Sequence, residues 1–172
     1  MAIYALGEHE PDIHPEAFIH PEAVIIGRVR IGAHTSVWPG AVIRGDDGDV
    51  IIGARTSIQD GAVLHTTHEH FTTVGDDCVI GHLVHLEGCT IESGSLVGSN
   101  SVVLHRAIVR SGALVGASAL VPNGMEVPAG AMALGVPAKI RPDSVPAGMI
   151  AMSAQSYVDR SARYLTDMRR IG

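Results

Sequence analysis

The 172-residue sequence contains few aromatic residues and only two cysteines, Cys78 and Cys89. Because aromatic residues make up 3% and apolar residues 46% of the chain, small and branched aliphatic side chains must fill the interior. Two cysteines are too few for a disulfide framework, so we expect a reducing, cytoplasmic setting. No apolar run approaches the roughly 20 residues that span a bilayer. The first residues also lack the basic and apolar segments of a signal peptide.

Basic residues are in the minority, since 12 Lys and Arg against 18 Asp and Glu give a net charge of −6. A net acidic chain argues against a nucleic-acid partner and against binding to an anionic membrane. The length suits one domain with a substantial core. Twenty glycines and nine prolines are spread along the chain, which indicates many regular turns.

Branched aliphatic residues recur about every six positions through most of the chain. They run from Ile19 to Ile43, resume at Ile52 after a three-residue insertion, and resume again at Val74 after a second insertion, continuing to Val127. Neither the strand period of two nor the helical period of 3.6 gives this spacing. A coil of three short flat strands, each with one inward aliphatic residue, does give it. The pattern therefore predicts an all-β solenoid, which resembles the left-handed parallel β-helix of hexapeptide-repeat proteins.

The repeat predicts a β-helix domain over residues 1–140 and a C-terminal segment over 141–172. Beyond Pro146 the sequence AGMIAMSAQSYVDRSARYLTDMRRI has the pattern of an amphipathic α-helix. Its predicted apolar stripe contains Ile150, Tyr157, Leu165, Met168 and Ile171. A solenoid needs its exposed flank covered, so we expect this helix to pack on the β-helix.

Two columns of polar side chains follow from the repeat. Three strands make one coil, so residues at the same offset three strands apart stack about 4.8 Å apart. By this count Arg44, His65 and Glu87 form one column. Asp60 and His82 form a second column on a neighbouring face.

Two polar columns on different faces predict an assembly of three chains around a threefold axis. His65 and Glu87 of one chain would then meet His82 of the next chain. Two imidazole nitrogens and one carboxylate are a suitable Zn²⁺ ligand set with a fourth position for water. Trp38 lies on the face of Gln59 and His82 and points outward, which predicts a contact between subunits.

The stretch SVWPGAVIRGDDGDVIIGARTSIQDGAVLHTTHEHFTTVGDDCVIGHLVHLEGCTIESGSLVG resembles the gamma-class carbonic anhydrase family. The most specific pieces are RGD at 44–46, QDG at 59–61 followed by His65, and GH at 81–82. The resemblance covers about residues 10–140. It implies a homotrimer of left-handed β-helices with metal sites between subunits, which hydrates CO₂ to bicarbonate reversibly. By position, the family's first histidine ligand falls on His65 and the neighbouring subunit's ligand on His82.

The family's third histidine ligand is replaced here by Glu87. Three interpretations remain open. Glu87 binds the metal directly, since two histidines and one glutamate suit Zn²⁺ or another divalent ion such as Fe²⁺. Alternatively, His85 swings in from a predicted corner of the coil. In the third interpretation, the site binds metal weakly and has lost its chemistry.

The resemblance also implies roles for other residues. Arg44 and Asp46 resemble the family's ion pair across the subunit interface. Gln59 and Asp60 resemble the residues that orient the metal-bound water, although Asp60 also fits a turn before glycine. In the inserted loop, His68 and His70 are candidates for a proton shuttle or an alternative ligand, or belong to a solvated loop.

His105 lies one coil beyond Glu87 and one position later, which allows an outer contact. Three functions are consistent with the sequence as a whole. The first is a metal-dependent enzyme of the carbonic anhydrase type. The second is a hexapeptide-repeat acyltransferase with a histidine base and a coenzyme A thioester, because fold does not fix function. The third is a catalytically silent metal-binding trimer.

Overall fold

The computed structural model describes residues 2–172, and its elements are 20 short β-strands followed by one α-helix within that range. The elements are β1 (Ala2–Tyr4), β2 (Asp12–Ile13), β3 (Phe18–Ile19), β4 (Val24–Ile31), β5 (Ser36–Val37), β6 (Val42–Ile52), β7 (Ser57–Ile58), β8 (Val63–His65), β9 (Thr72–Val74), β10 (Val79–Ile80), β11 (His85–Glu87), β12 (Thr90–Ile91), β13 (Leu96–Val97), β14 (Val102–Val103), β15 (Ile108–Val109), β16 (Leu114–Val115), β17 (Leu120–Val121), β18 (Glu126–Val127), β19 (Met132–Leu134), β20 (Lys139–Arg141) and α1 (Met149–Asp167).

The strands wind into a parallel solenoid with three faces. The helix face consists of β3, β5, β7, β10, β13, β16 and β19, and the antiparallel strand β20 closes its end. The histidine face consists of β1, the first halves of β4 and β6, and β8, β11, β14 and β17. The third face consists of β2, β9, β12, β15 and β18 with the second halves of β4 and β6. Seven parallel strands on the helix face correspond to about seven turns, which confirms the predicted parallel β-helix.

The repeating aliphatic residues form the core, one layer per strand. On the histidine face, Ile25 pairs with Ile43, Ile43 with Leu64, and Leu64 with Leu86. All four side chains are fully buried. Because neighbouring residues in a strand point to opposite sides, the residues flanking these aliphatics must point outward. This alternation puts the polar columns on the surface.

Both predicted insertions are present and leave the coil intact. Gly27 pairs with Gly45, but Val29 pairs with Val50, so β6 contains three extra residues at this corner. The second insertion is the loop between β8 and β9, closed by a hydrogen bond from the Thr67 amide to the His70 carbonyl. Both insertions lie at the corner between the histidine face and the third face, directly beside His65.

The helix α1 packs on the helix face and covers Trp38. Trp38 is only 4% exposed, and its ring lies 5.9 Å from the Tyr157 ring and 5.0 Å from the Tyr164 ring, centroid to centroid. Its indole N–H donates to the hydroxyls of Ser36 and Ser57. The prediction that Trp38 marks a subunit contact is therefore wrong, because the chain's own helix fills that position.

The apolar stripe predicted for the helix is correct only in its first half. Ile150, Ala154 and Ser161 are buried, so the packing face follows a helical spacing of three or four residues. Leu165 is exposed, and the helix ends at Asp167, before the remaining predicted members of the stripe. Among residues 2–172, no helix has the length and apolar character needed to cross a membrane.

Candidate functional site

The predicted column of Arg44, His65 and Glu87 is present on the histidine face. Arg44 pairs with His65, and His65 pairs with Glu87, in successive parallel strands. Because each follows a buried aliphatic residue, all three side chains project outward at the same offset. The His65 Nδ1 atom lies 3.3 Å from a carboxylate oxygen of Glu87. The repeat therefore brings these two predicted ligands into contact within one chain.

Glu87 is the centre of a histidine cluster. Besides His65, its carboxylate has His85 Nε2 at 3.0 Å and His105 Nε2 at 3.5 Å. The prediction that His85 lies at a corner is wrong. His85 belongs to β11 and, two residues before Glu87, shares its side of the strand. The outer contact predicted for His105 is confirmed.

The cluster keeps Glu87 negatively charged. Burial alone would raise the pKa of the Glu87 carboxyl, but hydrogen bonds with His85, His65 and His105 together outweigh it, and the pKa lies below its ordinary value. The pKa of the Asp46 carboxyl is also below its ordinary value. Burial would raise it, but a backbone hydrogen bond, Arg44 and His65 together lower it by more. Both carboxylates are therefore ionised near neutral pH.

Both ring nitrogens of His65 are occupied. Nδ1 faces Glu87, and Nε2 lies 3.1 Å from a carboxylate oxygen of Asp46. Asp46 also forms an ion pair with Arg44 within the same chain. The resemblance implied that this ion pair crosses a subunit interface, whereas here it links two residues of one strand, β6. In a single chain, His65 has no ring nitrogen free for a substrate or a metal.

The second predicted column, Asp60 and His82, lies at the corner between the helix face and the histidine face. His82 Nδ1 is 2.9 Å from a carboxylate oxygen of Asp60. Both side chains are about half exposed, at 50% and 49%. No hydrogen bond to His82 Nε2 occurs within residues 2–172. A proton on Nδ1 would face this carboxylate, and Nε2 would then be the acceptor nitrogen of this half-exposed side chain.

The remaining predicted residues surround these two columns. Gln59 directly follows β7 and is buried, and none of the hydrogen bonds described for residues 2–172 joins its side chain to His65 or His82. In the inserted loop, His68 is exposed and lies 3.3 Å from Asp47. His70 instead packs against His105, and its Nε2 atom accepts a hydrogen bond from a neighbouring guanidinium at 3.1 Å.

Sequence reasoning did not single out Arg106, whose Nη1 atom makes that contact with His70. The sequence offered no signal for it, because Arg106 is one of several arginines at coil corners. The clustering of His70, His105 and Glu87 depends on the path of the inserted loop. The hexapeptide period does not determine that path.

The described residues of one chain do not form the predicted metal site. Within residues 2–172, no group of three or more histidine, cysteine or carboxylate side chains is arranged to hold a metal ion. His65 and Glu87 are in contact, and His82 points outward from a different corner. A three-ligand site with His82 therefore needs a second copy of the chain.

Comparison with known proteins finds similarity to hexapeptide-repeat proteins. The family "Bacterial transferase hexapeptide (six repeats)" matches residues 10–45 and 71–105. The carnitine operon protein CaiE of Escherichia coli (strain K12) is 39% identical over 108 residues, which cover 63% of this chain and 55% of that protein. The chain thus spans about half the length of the curated relatives it matches.

Two solved structures match over nearly the whole chain. A Bacillus cereus protein described as a proposed acetyltransferase is 34% identical with a TM-score of 0.92, covering 95% of this chain and 96% of that one. A hexapeptide transferase family protein from Anaplasma phagocytophilum is 33% identical with a TM-score of 0.89, covering 95% and 98%. These comparisons do not confirm membership of the gamma-class carbonic anhydrases. They show that the chain belongs to the hexapeptide-repeat transferase family.

Proposed function

We propose that the protein is an acyltransferase in which His82 is the general base and Asp60 orients it. The observation that carries this proposal is the 2.9 Å contact between His82 Nδ1 and Asp60, on a His82 side chain that is half exposed. In the histidine cluster, by contrast, His65 has both nitrogens occupied. Membership of the transferase family and the similarity to a proposed acetyltransferase support the same reaction class.

The donor would be a coenzyme A thioester and the acceptor a small amine or alcohol. His82 Nε2 takes the proton from the acceptor as its nitrogen or oxygen attacks the thioester carbonyl carbon. The carbon–sulfur bond then breaks, and the imidazolium returns the proton to the departing sulfur. Asp60 holds the reactive tautomer and stabilises the imidazolium while it exists.

The test is release of free thiol from acetyl coenzyme A with a panel of amine and alcohol acceptors. We expect His82→Gln to lower kcat by about 10²–10⁴-fold, the usual contribution of a positioned general base. His34→Gln is the matched control, because the His34 side chain is also 50% exposed and lies 3.6 Å from a carboxylate of Glu16. Turnover that is absent from the wild type, or unchanged by His82→Gln, would contradict the proposal.

A second candidate is a metal-dependent hydration of CO₂ at a site shared between copies of a homotrimer. The observation that favours it is the 3.3 Å contact between His65 and Glu87, two of the three predicted ligands. His82 of a second copy would complete the set, and Zn²⁺ or Fe²⁺ suits these donors. The chemistry that such an ion supplies is activation of water near neutral pH. Gln59 and Asp60 would orient that water.

Metal content separates this candidate from the first. Under the metal hypothesis, Glu87→Ala loses bound metal and Glu87→His keeps it, both measured by elemental analysis of the purified protein. Equal metal content in the wild type and both variants would contradict the assignment of Glu87 as a ligand. Metal retained without any rate of CO₂ hydration would instead indicate a silent metal-binding trimer. The cytoplasmic location stays a prediction under every candidate.

A further inference from the structure

A cavity of about 350 Å³ lies at the N-terminal end of the coil, where the loop between β1 and β2 meets the corner between the histidine face and the third face. Its volume is at the small end of the range for small-molecule sites. Neither the Asp60–His82 pair nor any residue of the histidine cluster lines it. Six charged side chains do line it, namely Glu8 and Glu10 of the loop, Asp12 of β2, Arg28 and Arg30 of β4, and Asp49 of β6.

Opposite charges share this cavity without pairing. Within residues 2–172, every ion pair between an arginine and a carboxylate involves an arginine at another corner of the coil, and these are Arg44, Arg55 and Arg110. Arg28 and Arg30 therefore pair with none of the four carboxylates around them. Asp12 and Arg30 are even neighbours in register in adjacent parallel strands. The fold itself thus leaves both kinds of charge in the cavity available to a ligand.

Arg28 is the side chain that the fold leaves unsatisfied. Its Nε atom is buried and has no hydrogen-bond partner within residues 2–172. A buried charged donor without an acceptor costs free energy, and such groups are rare in native structures. Unpaired carboxylates at exposed residues such as Glu8 and Glu10 are not unusual, because exposed ion pairs contribute little. Arg28 is therefore the observation that points to a missing acceptor.

The backbone around the cavity is held in place by the chain itself. Leu6 and His9 exchange backbone hydrogen bonds of 2.9 and 3.1 Å, which close the loop. At the corner, an added Cβ on Gly45 would overlap the carbonyl oxygen of Arg28, so only glycine allows this close approach of the two strands. A ligand would thus enter a site whose walls are already formed, which lowers the entropic cost of binding.

The charges that line the cavity define the ligand. A simple cation would leave both guanidinium groups unpaired, and a simple anion would be repelled by four carboxylates. A planar guanidinium matches a carboxylate in geometry, and the carboxylates accept hydrogen bonds from ammonium groups. Because carboxylates outnumber guanidinium groups here, a ligand with more ammonium than carboxylate groups balances the lining best. No phenylalanine, tyrosine or tryptophan ring lines the cavity to recognise a quaternary ammonium.

We propose that this cavity is a binding site for a basic amino acid, whose carboxylate contacts Arg28 and Arg30 and whose ammonium groups contact the surrounding carboxylates. The site is distinct from the proposed acyl-transfer site, because His82 lies at the corner between the helix face and the histidine face. Its test measures binding alone, so its failure and the failure of the acyltransferase proposal are separate results.

Isothermal titration calorimetry of the full chain with two probes tests the site. L-lysine carries both kinds of group, whereas cadaverine keeps the two ammonium groups and lacks the carboxylate. We expect Arg28→Gln to raise the dissociation constant of L-lysine at least about tenfold, since a hydrogen bond between charged groups is lost, and not to weaken the binding of cadaverine. Asp49→Asn should weaken the binding of both probes.

The controls remove the same charges elsewhere. Arg141→Gln and Glu69→Gln change exposed residues that do not line the cavity, and we expect both to bind L-lysine like the wild type. Arg30→Gln, at an exposed position, replaces Arg28→Gln if that variant does not fold. A wild type without saturable binding of L-lysine would overturn the inference. So would equal weakening of both probes by Arg28→Gln, or equal effects of the control and cavity variants.

Discussion

Trp38→Ala is the sharpest test of how the C-terminal helix is attached. Trp38 is almost fully buried between the helix face and α1, where it contacts the rings of Phe18, Tyr157 and Tyr164. These aromatic contacts are concentrated on one side of α1. Removing the indole therefore removes its contacts with both tyrosines of the helix.

The expected loss can be worked from area. A buried tryptophan removes roughly 150–250 Å² from water. At about 25 cal/mol per Å², this amounts to roughly 4–6 kcal/mol. Measured substitutions of this kind fall at about 3–5 kcal/mol, because the surroundings partly collapse into the cavity. Trp38→Phe should keep the aromatic packing and lose only the N–H bonds to Ser36 and Ser57, which is worth about 1 kcal/mol.

Urea unfolding gives the free energies, and limited trypsin digestion reports on the helix itself. Arg160 and Arg163 lie on α1, so a detached helix should be cut there well before the coil is cut. We expect fast cleavage in Trp38→Ala and wild-type rates in Trp38→Phe. A loss below about 1 kcal/mol in Trp38→Ala would refute the assigned packing. So would dissociation of the assembly while the helix stays protected, which would restore the subunit contact predicted from the sequence.

Two further changes probe the site. Because the pKa of Glu87 is lowered in the folded chain, the Glu87→Gln variant should be less stable than the wild type by about 1–2 kcal/mol above the ordinary carboxyl pKa of 4.5. This difference in unfolding free energy should close as pH falls through the lower folded pKa. Urea midpoints at about pH 6 and pH 3 check it, and a difference that stays constant with pH would contradict the contacts of Glu87 with the histidines. Gly61→Ala should lose about 1–2 kcal/mol from its φ of +67°. An added Cβ at Gly61 would also stand 2.7 Å from Leu83 Cδ2, so this variant should lose more stability than the control Gly94→Ala, which has a φ of +70° and nothing within 4 Å of an added Cβ; equal losses would show that the Leu83 side chain moves aside freely.

The coil and its columns were predictable because both follow from one period. An inward aliphatic every six residues determines which strand pairs with which, and the pairing of Arg44, His65 and Glu87 then follows by counting. The same count predicted the contact of Asp60 with His82. Insertions do not disturb this count, because they lie at corners and the aliphatic residues before and after them still pair with each other.

Contacts that depend on how separate elements pack together could not be predicted from the repeat. An outward Trp38 has the same sequence pattern whether a helix of its own chain or another subunit covers it. The position of His85 was wrong for a different reason. The offset of a residue from the preceding aliphatic was counted forward from Ile80, whereas His85 belongs to the strand that contains Leu86. His70 and Arg106 meet through a loop that the repeat does not determine.

His65 and His82 differ in how many of their ring nitrogens contact other residues of the same chain. His65 is held by Asp46 and Glu87, so it could serve a metal only by giving up one of these contacts when another copy arrives. His82 is oriented by Asp60 through one nitrogen only, so it could serve as a base without rearrangement. Only the metal site requires a second chain, because His82 lies at a different corner of the coil from His65 and Glu87.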